Sequence, residues 1–407
     1  MRKNNLKQFL PIFVIFAGIA ILAIRIITNF KGLPKVSPEI LKSPTLQSPT
    51  PTTQVEFIDK TQFGLHGPSG YKINIFAKDL GPARMMAFDQ KSGAMFVSIT
   101  KEGRIVGLQD VDGDGIAEQS WDVIDGLRNP HGLAIYDGWL YIGEEHQVGR
   151  VRLFAERNYE VLIRDLPFGE GHFTRTIGFG PDGKLYLSIG SSCNVCYESD
   201  QRRAAILQFN PDGTAGQIFA EGLRNAVGFA WHPKTKELWA TDNGRDYLGE
   251  DLPPDEINIV KENKDYGWPI CYGAKIHDTE FDKNVYVRDP CEDTEAPIIE
   301  LPAHSAPLGL RFDSEGNLFV ALHGSWNRTH PAGYKVIKIS FGDAGPKVSD
   351  FIWGWMPEEN LKKPLGATAS QFAKGRPVDI VFDDKGAMYI SDDKAGMIYK
   401  VEKIVGN

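Results

Sequence analysis

The chain has 407 residues, of which 42% are hydrophobic and 24% are charged. This composition is typical of a globular protein and excludes a collagen, a wholly disordered chain and a polytopic membrane protein. Residues 1–53 hold seven of the 45 Lys and Arg residues but one of the 53 acids, which leaves the rest of the chain with a net charge of −14. So acidic a body cannot neutralise phosphates, and we expect no nucleic-acid partner.

Residues 1–30 predict an N-terminal membrane anchor. Basic residues precede an uncharged run over residues 9–24, which continues past Arg25 to residue 30 and reaches the roughly 20 residues that a spanning helix needs. A signal sequence is the alternative, but no small-x-small cleavage pattern follows the run. Positive charge at the N-terminal end predicts that the rest of the chain lies in the periplasm or outside the cell. Residues 31–54, rich in Pro, Ser and Thr, predict a flexible stalk.

One sequence phrase recurs six times along the remaining residues, 55–407. It consists of an aromatic or aliphatic residue, a short Asp/Pro/Gly turn and alternating apolar residues, which is the pattern of a β-hairpin. The copies are FDQKSGAMFVSI (88–99), IYDGWLYIGE (135–144), FGPDGKLYLSIG (179–190), WHPKTKELWATD (231–242), FDSEGNLFVALHG (312–324) and FDDKGAMYISDD (382–393).

The spacing of these copies predicts the fold. The intervals between their turns are 45, 45, 54, 79 and 70 residues, measured at Gly93, Gly138, Gly183, Glu237, Gly316 and Gly386. The shorter intervals match a four-stranded propeller blade, and the body lacks long helical periodicity. We therefore expect an all-β, six-bladed β-propeller, with the extra length of the two long intervals emerging as loops on one rim.

Four cysteines suit an exported protein. Cys193 and Cys196 are three residues apart, and Cys271 and Cys291 bracket a polar segment, which favours disulfides 193–196 and 271–291 among the three connectivities. A zinc site or a redox-active pair at Cys193-x-x-Cys196 remains an alternative, but the further ligands and the helical context that these would need are not evident.

Several polar clusters could carry chemistry. His172 and Arg175 precede the third hairpin, Arg224 and Asn225 precede the fourth, and Arg376 precedes the last. The acidic, Gly/Pro-rich segment 242–256 offers the oxygen donors that calcium prefers and reads as a loop rather than a strand. Further candidates are His304, His323, Trp326, Asn327, Arg328 and His330, with the weaker pair Asn129 and His131.

Asp110, Asp112 and Asp114 are spaced like the start of a calcium-binding loop. Trp121 occupies the twelfth position, where an EF-hand has a bidentate glutamate, so a hairpin connection is the better interpretation. A second, structural calcium ion at these three carboxylates is the alternative.

In order, these phrases resemble the glucose/sorbosone dehydrogenase family of soluble-type quinoproteins, in particular its sorbosone and aldose sugar dehydrogenase members. The resemblance spans roughly residues 70–403. The matching motifs are His172-x-Thr174-Arg175, Gly222-Leu223-Arg224-Asn225, Thr241-Asp242-Asn243-Gly244-Arg245-Asp246, Pro254-Asp255-Glu256-Ile257-Asn258, Tyr266-Gly267-Trp268-Pro269, His323-Gly324-Ser325-Trp326-Asn327-Arg328 and Gly375-Arg376-Pro377-Val378-Asp379.

The resemblance implies a propeller that holds pyrroloquinoline quinone (PQQ) and calcium and oxidises a sugar hydroxyl or aldehyde. It implies that His172 is the general base that takes the hydroxyl proton while hydride passes to the quinone. The main-chain carbonyls of Gly244 and Arg245 are the implied calcium ligands. The implied cofactor contacts are Arg224, Asn225, Arg376, Arg328, His323 and, more weakly, His131.

Calcium and Arg224 would stabilise charge that grows on the quinone oxygen. His172 must be neutral to accept a proton, which predicts loss of activity near pH 6.5 if its pKa is unperturbed. A calcium-dependent lactone hydrolase and a non-catalytic binding propeller are the alternatives. The sugar, the electron acceptor (a quinone or a cytochrome) and the oligomeric state are not specified by the sequence.

Overall fold

The structure, a computed structural model, describes residues 64–155 and 158–404. Within them, strands form six sheets that each contain four antiparallel strands, one of which gains a fifth, parallel strand, and this confirms the predicted six-bladed propeller. In these described ranges, no helix has the length and apolar character needed to cross a bilayer. The predicted anchor at residues 1–30 and stalk at 31–54 lie outside the described residues.

The sheets follow one another along the chain as blades 1 to 6. Blades 1 to 3 consist of β2–β5, β6–β9 and β10–β13, blade 4 of β14, β15, β16 and β20, blade 5 of β21–β24, and blade 6 of β25–β27 with β1. The strands are β1 Tyr71–Ala77, β2 Ala83–Asp89, β3 Ala94–Ile99, β4 Arg104–Gln109, β5 Gln119–Ile124, β6 Leu133–Tyr136, β7 Trp139–Glu144, β8 Gln147–Arg152, β9 Glu160–Ile163, β10 Arg175–Phe179, β11 Leu185–Ile189, β12 Ala205–Phe209, β13 Gln217–Glu221, β14 Phe229–Trp231, β15 Leu238–Asp242, β16 Asp255–Val260, β17 Lys264–Asp265, β18 Cys271–Tyr272, β19 Ile276–His277, β20 Ile299–Leu301, β21 Pro307–Phe312, β22 Leu318–Leu322, β23 Lys335–Gly342, β24 Gly345–Trp353, β25 Pro377–Phe382, β26 Met388–Asp392 and β27 Met397–Lys403. The short helices are Thr100–Glu102, Glu358–Leu361, Gly366–Thr368 and Ala369–Phe372.

All six predicted hairpins form the first two strands of a blade. The turns need a residue with positive φ, and glycine supplies it in five blades. In blade 4 the position is taken by Lys236 (φ 65°) rather than by Glu237, which corrects the predicted register of that turn by one residue. The segment 242–256 is a loop only from residue 243 to 254, since Asp242 ends β15 and Asp255 begins β16.

The ring closes through β1, which pairs along β27 and so joins the N-terminal part of the ring to the last blade. Six apolar clusters of the described residues lie between neighbouring blades, because alternate side chains of each strand face the adjacent sheet. A seventh cluster joins the entry segments of four blades at the ring axis and consists of Met85, Val227, Leu308 and Val378.

Antiparallel blades place their connections at two opposite rims. The connections between strands 2 and 3 of a blade, and between successive blades, share one rim, which we call the site rim because it carries residues 164–174, 190–204, 243–254 and 323–334. Hairpin turns and the loop 110–118 lie at the other rim. The 261–298 insertion pairs β17 parallel with β13 and thereby runs toward the site rim, as predicted for the extra length.

Candidate active site

Polar residues cluster where successive segments enter the first strand of each blade. Arg84, His131 and Arg175 each stand four residues before the first residue of a repeat, at Phe88, Ile135 and Phe179. Carboxylates at the ends of second strands orient three of these entry segments by accepting main-chain hydrogen bonds. These pairs are Glu144 with the Arg128 amide, Asp242 with the Arg224 and Asn225 amides, and Asp392 with the Arg376 amide.

The His172 ring has a defined tautomer. Its Nδ1 lies 3.0 Å from the carbonyl oxygen of Ser191, which can only accept, so Nδ1 carries the proton and the Nε2 lone pair is basic. Arg175 donates to the carbonyl oxygens of His172 (3.0 Å) and Thr174 (2.7 Å) and fixes this segment. Burial, and then the charge of Arg224, lower the pKa of His172 to about 3. The ring is therefore neutral at ordinary pH, and the unperturbed pKa on which a loss of activity near pH 6.5 depended does not apply.

Arg224 is buried and almost fully engaged by the protein. Its Nε and Nη2 donate to the main-chain and side-chain oxygens of Asn194 at 2.9 and 3.0 Å. Its Nη1 donates to the carbonyl oxygens of Asn243 and Gly244, both at 3.0 Å. Four of the five guanidinium N–H groups are thus used, and Asp246 lies 3.7 Å from Nη2.

Asn225 presents an unsatisfied acceptor beside His172. The residue is 8% exposed, and its Oδ1 has no hydrogen-bond partner. A Cβ placed on Gly190 would lie 2.5 Å from this oxygen and 2.7 Å from the His172 Cβ. Gly190 therefore leaves a narrow space between the histidine and the amide, and a buried acceptor in that space is the kind of group that a ligand satisfies.

A second cluster lies across blades 1, 5 and 6. Arg376 donates from Nε to the His323 carbonyl (3.0 Å) and from Nη2 to the Gly324 carbonyl (2.5 Å). The His323 Nε2 lies 2.9 Å from one oxygen of Asp393, whose other oxygen is 2.5 Å from Arg84 Nη1. Burial is the main cause that lowers the pKa of His323 to about 4.

Phe173 connects the two clusters. Phe173 follows His172 in the sequence, and the centre of its ring lies 5.7 Å from the guanidinium carbon of Arg84. His131 packs edge-on against the same ring, at 6.2 Å between ring centres. His131 is fully buried, its Nε2 has no hydrogen-bond partner, and burial holds its pKa well below the usual range.

Arg328 contacts the loop 243–254. It donates to the Glu250 carbonyl (2.8 Å) and pairs with Asp251 (2.6 Å), so it braces the loop 243–254. The structure thus places Arg328 as a loop contact, while its predicted cofactor contact remains a prediction.

The predicted calcium ligands do not form an open oxygen site. The Gly244 carbonyl accepts the Arg224 guanidinium, and the Arg245 side chain pairs with Asp278 at 2.5 Å. Calcium takes six to eight oxygen ligands, and a cation 3.0 Å from a ligand oxygen opposes a second cation there. The Gly244 carbonyl is therefore engaged by Arg224 in this arrangement, and calcium binding by the main-chain carbonyls of Gly244 and Arg245 stays a prediction.

The second predicted calcium site lies at the opposite rim from His172. Asp110, Asp112, Asp114 and Glu118 lie within reach of one another, and all four accept hydrogen bonds from amides of their own loop. This geometry is that of the hairpin connection that the sequence favours, and a second calcium ion at these carboxylates stays a prediction.

Behind Arg224 lies a cavity of about 20 Å³, large enough for one water molecule. Its lining includes the buried carboxylates of Asp242 and Glu256, which face each other across β15 and β16. Burial raises the pKa of Asp242 to about 7 and that of Glu256 to about 8. The cavity is thus a buried polar site and is too small for an organic cofactor.

Four residues of the site were not predicted from the sequence: Arg84, Ser191, Asn194 and Asp393. Arg84 carries a usable signal, since it has the same offset from its repeat as His131 and Arg175. Asn194 lies between Cys193 and Cys196, which form a disulfide, and the second disulfide joins Cys271 to Cys291. Both predicted pairings are confirmed, and cysteines joined in a disulfide offer no thiolate to a zinc ion.

Comparison with known proteins finds relatives of which some are named as sugar dehydrogenases. An uncharacterized protein of Borreliella burgdorferi is 30% identical over 374 residues, which cover 83% of this chain and 91% of the relative. A pyrroloquinoline quinone-dependent pyranose dehydrogenase of Coprinopsis cinerea is 24% identical over 85% of this chain. The match covers 55% of that relative, so the chain spans about half of its length.

Solved structures share the fold at low identity. The iodide structure of a Trichoderma reesei enzyme of carbohydrate-active family AA12 matches with a TM-score of 0.71 and 21% identity, over 86% of this chain and 99% of the other. The holo form of the pyranose dehydrogenase PQQ domain from Coprinopsis cinerea matches with a TM-score of 0.70 and 22% identity, over 84% and 98%. The TrAA12-like family matches residues 65–404. The chain therefore belongs to the TrAA12-like family, and its predicted resemblance to the soluble-type quinoprotein sugar dehydrogenases is confirmed.

Proposed function

We propose that this protein is a dehydrogenase that uses PQQ to oxidise the anomeric hydroxyl of an aldose, or a sugar aldehyde, to a lactone or acid. Relatives named as PQQ-dependent pyranose and sugar dehydrogenases support the reaction class. The observation that carries the proposal is the unsatisfied Asn225 Oδ1 beside a neutral His172.

The site residues fit a flat, tricarboxylated quinone. Arg224 and Asn225 would hold its quinone end beside His172, and Arg376 with Arg84 would face its carboxylates. Positive charge suits such an anion because arginine donors pair strongly with carboxylates. When bound, the quinone would accept the hydride, which carries both electrons, from the substrate carbon.

The protein's own part is to hold the substrate hydroxyl and remove its proton. The Ser191 carbonyl fixes the proton on Nδ1, so Nε2 of His172 accepts the proton from the hydroxyl. Arg175 holds the main chain of that segment and thereby sets the distance from the imidazole to the substrate. We assign no step to calcium, because the Gly244 carbonyl already accepts Arg224.

The alternatives lack a specific supporting observation. A metal-dependent lactone hydrolase needs carboxylates that hold an ion in the channel. Among the described residues, groups of three or more candidate metal ligands are the disulfide-linked Cys193 and Cys196 with Glu198, and the acidic loop at the other rim. Export to the periplasm or cell exterior stays part of the proposal, since disulfides persist in oxidising compartments.

The proposal is tested by reconstituting the purified full chain with PQQ and measuring reduction of an artificial dye across a panel of aldoses and sugar aldehydes. We expect turnover with at least one sugar and its loss in His172→Ala. His330→Ala, which changes an exposed histidine on the same rim, is the matched control. Absence of dye reduction across the panel, with PQQ bound, would refute the proposed activity.

A further inference from the structure

Asn194 makes four hydrogen bonds that join two site residues. Its main-chain and side-chain oxygens accept Arg224 Nε (2.9 Å) and Nη2 (3.0 Å). Its Oδ1 also accepts the Asp246 amide at 2.7 Å, and its Nδ2 donates to the Asp246 carbonyl at 3.0 Å. One side chain therefore fixes both the cation and the loop 243–254.

The backbone around Asn194 is constrained by the adjacent cysteines. The Cys193–Cys196 disulfide closes a ring of four residues that contains Asn194. Closing so short a ring restricts the conformations of the residues within it, so less entropy is lost when Asn194 is ordered. The disulfide thus presents Asn194 to Arg224 in one orientation.

The same ring is linked to the histidine through Ser191. Ser191 Oγ donates to the Cys193 carbonyl at 2.7 Å, and it lies 3.1 Å from His172 Nδ1. The Ser191 carbonyl is the main acceptor of the His172 N–H. Contacts of one disulfide-closed turn therefore extend to both His172 and Arg224.

We infer that Asn194 is a positioning residue, and that the Cys193–Cys196 ring holds Arg224 and His172 in register for the quinone. Without the Asn194 side chain, Arg224 Nη2 loses its acceptor. The main-chain carbonyl that accepts Arg224 Nε remains, but its turn loses the two side-chain hydrogen bonds to the Asp246 main chain that hold it in place. The guanidinium then moves relative to His172. The role in quinone binding rests on the proposed function, whereas the coupling of Arg224 to His172 does not.

The experiment compares Asn194→Ala with wild-type protein in two measurements. The first is PQQ affinity of the full chain, followed by quenching of tryptophan fluorescence. The second is the pKa of His172 in cofactor-free protein, read from the NMR resonance of its ring and assigned by His172→Ala. Arg224, Arg203 and Arg175 are the charges that face this ring and lower its pKa.

We expect Asn194→Ala to weaken PQQ binding by about 10- to 100-fold, the effect typical of removing a group that orients a ligand contact. We expect the pKa of His172 to rise. The positive charge of Arg224 disfavours protonation of the ring, and this effect weakens when the guanidinium moves away. Asn194→Asp keeps the acceptor for Arg224 and should restore most of the affinity. Asn210→Ala, in a turn of the same blade at the other rim, is the matched control.

A purely structural role would leave the pKa of His172 unchanged in folded protein, which a thermal unfolding curve verifies. The double variant Cys193→Ser/Cys196→Ser should reproduce both effects of Asn194→Ala, and Cys271→Ser/Cys291→Ser should reproduce neither. Unchanged affinity and unchanged His172 pKa in Asn194→Ala would overturn the inference. If wild-type protein fails to bind PQQ, the proposed function fails, and the pKa measurement still decides the positioning role.

Discussion

Gly190→Ala tests whether the space between His172 and Asn225 is needed. The added Cβ would lie 2.5 Å from Asn225 Oδ1 and 2.7 Å from the His172 Cβ. Ordinary contact begins near 3.4 Å, so the two side chains must move by roughly 0.9 and 0.7 Å. Overpacking of this kind costs about 1–3 kcal/mol in the free energy of unfolding.

The same displacement should cost much more activity than stability, because a shift on the order of 1 Å in reacting groups lowers turnover by about 100-fold. Denaturant unfolding, PQQ affinity and dye-linked turnover measure the three effects. Gly342→Ala is the matched control, since its added Cβ meets nothing within 4 Å. Equal turnover in the Gly190 and Gly342 variants would refute the placement of the site.

Three further outcomes follow from the site. Since burial and Arg224 lower the pKa of His172 to about 3, kcat/KM should stay constant with respect to this group above about pH 4, and a decline centred near pH 6.5 would contradict this. Treatment with EGTA should change PQQ affinity by less than about twofold, because Arg224 occupies the Gly244 carbonyl; a tenfold loss restored by calcium would contradict this. The raised pKa values of Asp242 and Glu256 mean that the folded state retains protons that the unfolded state loses. The free energy of unfolding should therefore fall as pH rises from about 4 to about 8, and Asp242→Asn should reduce that fall; an equal pH dependence in the variant would refute the assignment.

The architecture was predictable because each blade repeats its own local signal. A turn that needs positive φ, followed by alternating apolar residues, predicts a hairpin wherever it occurs. Its six occurrences predict six blades. Blade 4 shows the limit, because without glycine in the turn the register is one residue off, at Lys236. Closure of the ring by β1 was not predicted. Its partner β27 lies more than 300 residues away in the sequence, so the pairing leaves no local sequence pattern.

Candidate site residues could be named from the sequence where they stand next to a repeated hairpin. Residues whose role depends on a contact between two loops could not. His172, Arg224 and Arg376 were found through motifs next to the hairpins. Asn194 was missed because its proposed role depends on contact with Arg224, thirty residues away in the sequence. Its position between Cys193 and Cys196 predicts a disulfide there but not that contact. The contact of Arg224 with the Gly244 carbonyl was missed for the same reason, since only the folded loop shows it.

The central proposal is that His172 accepts the substrate proton beside bound PQQ, which accepts the hydride. The most direct measurement is the visible absorbance spectrum of PQQ-loaded protein before and after a single addition of an aldose that supports turnover, in wild-type protein and in His172→Ala. We predict that both proteins bind PQQ and that the sugar bleaches the oxidised quinone spectrum rapidly in wild-type protein alone. Equally fast reduction in His172→Ala would show that His172 is not the base, and would contradict the account.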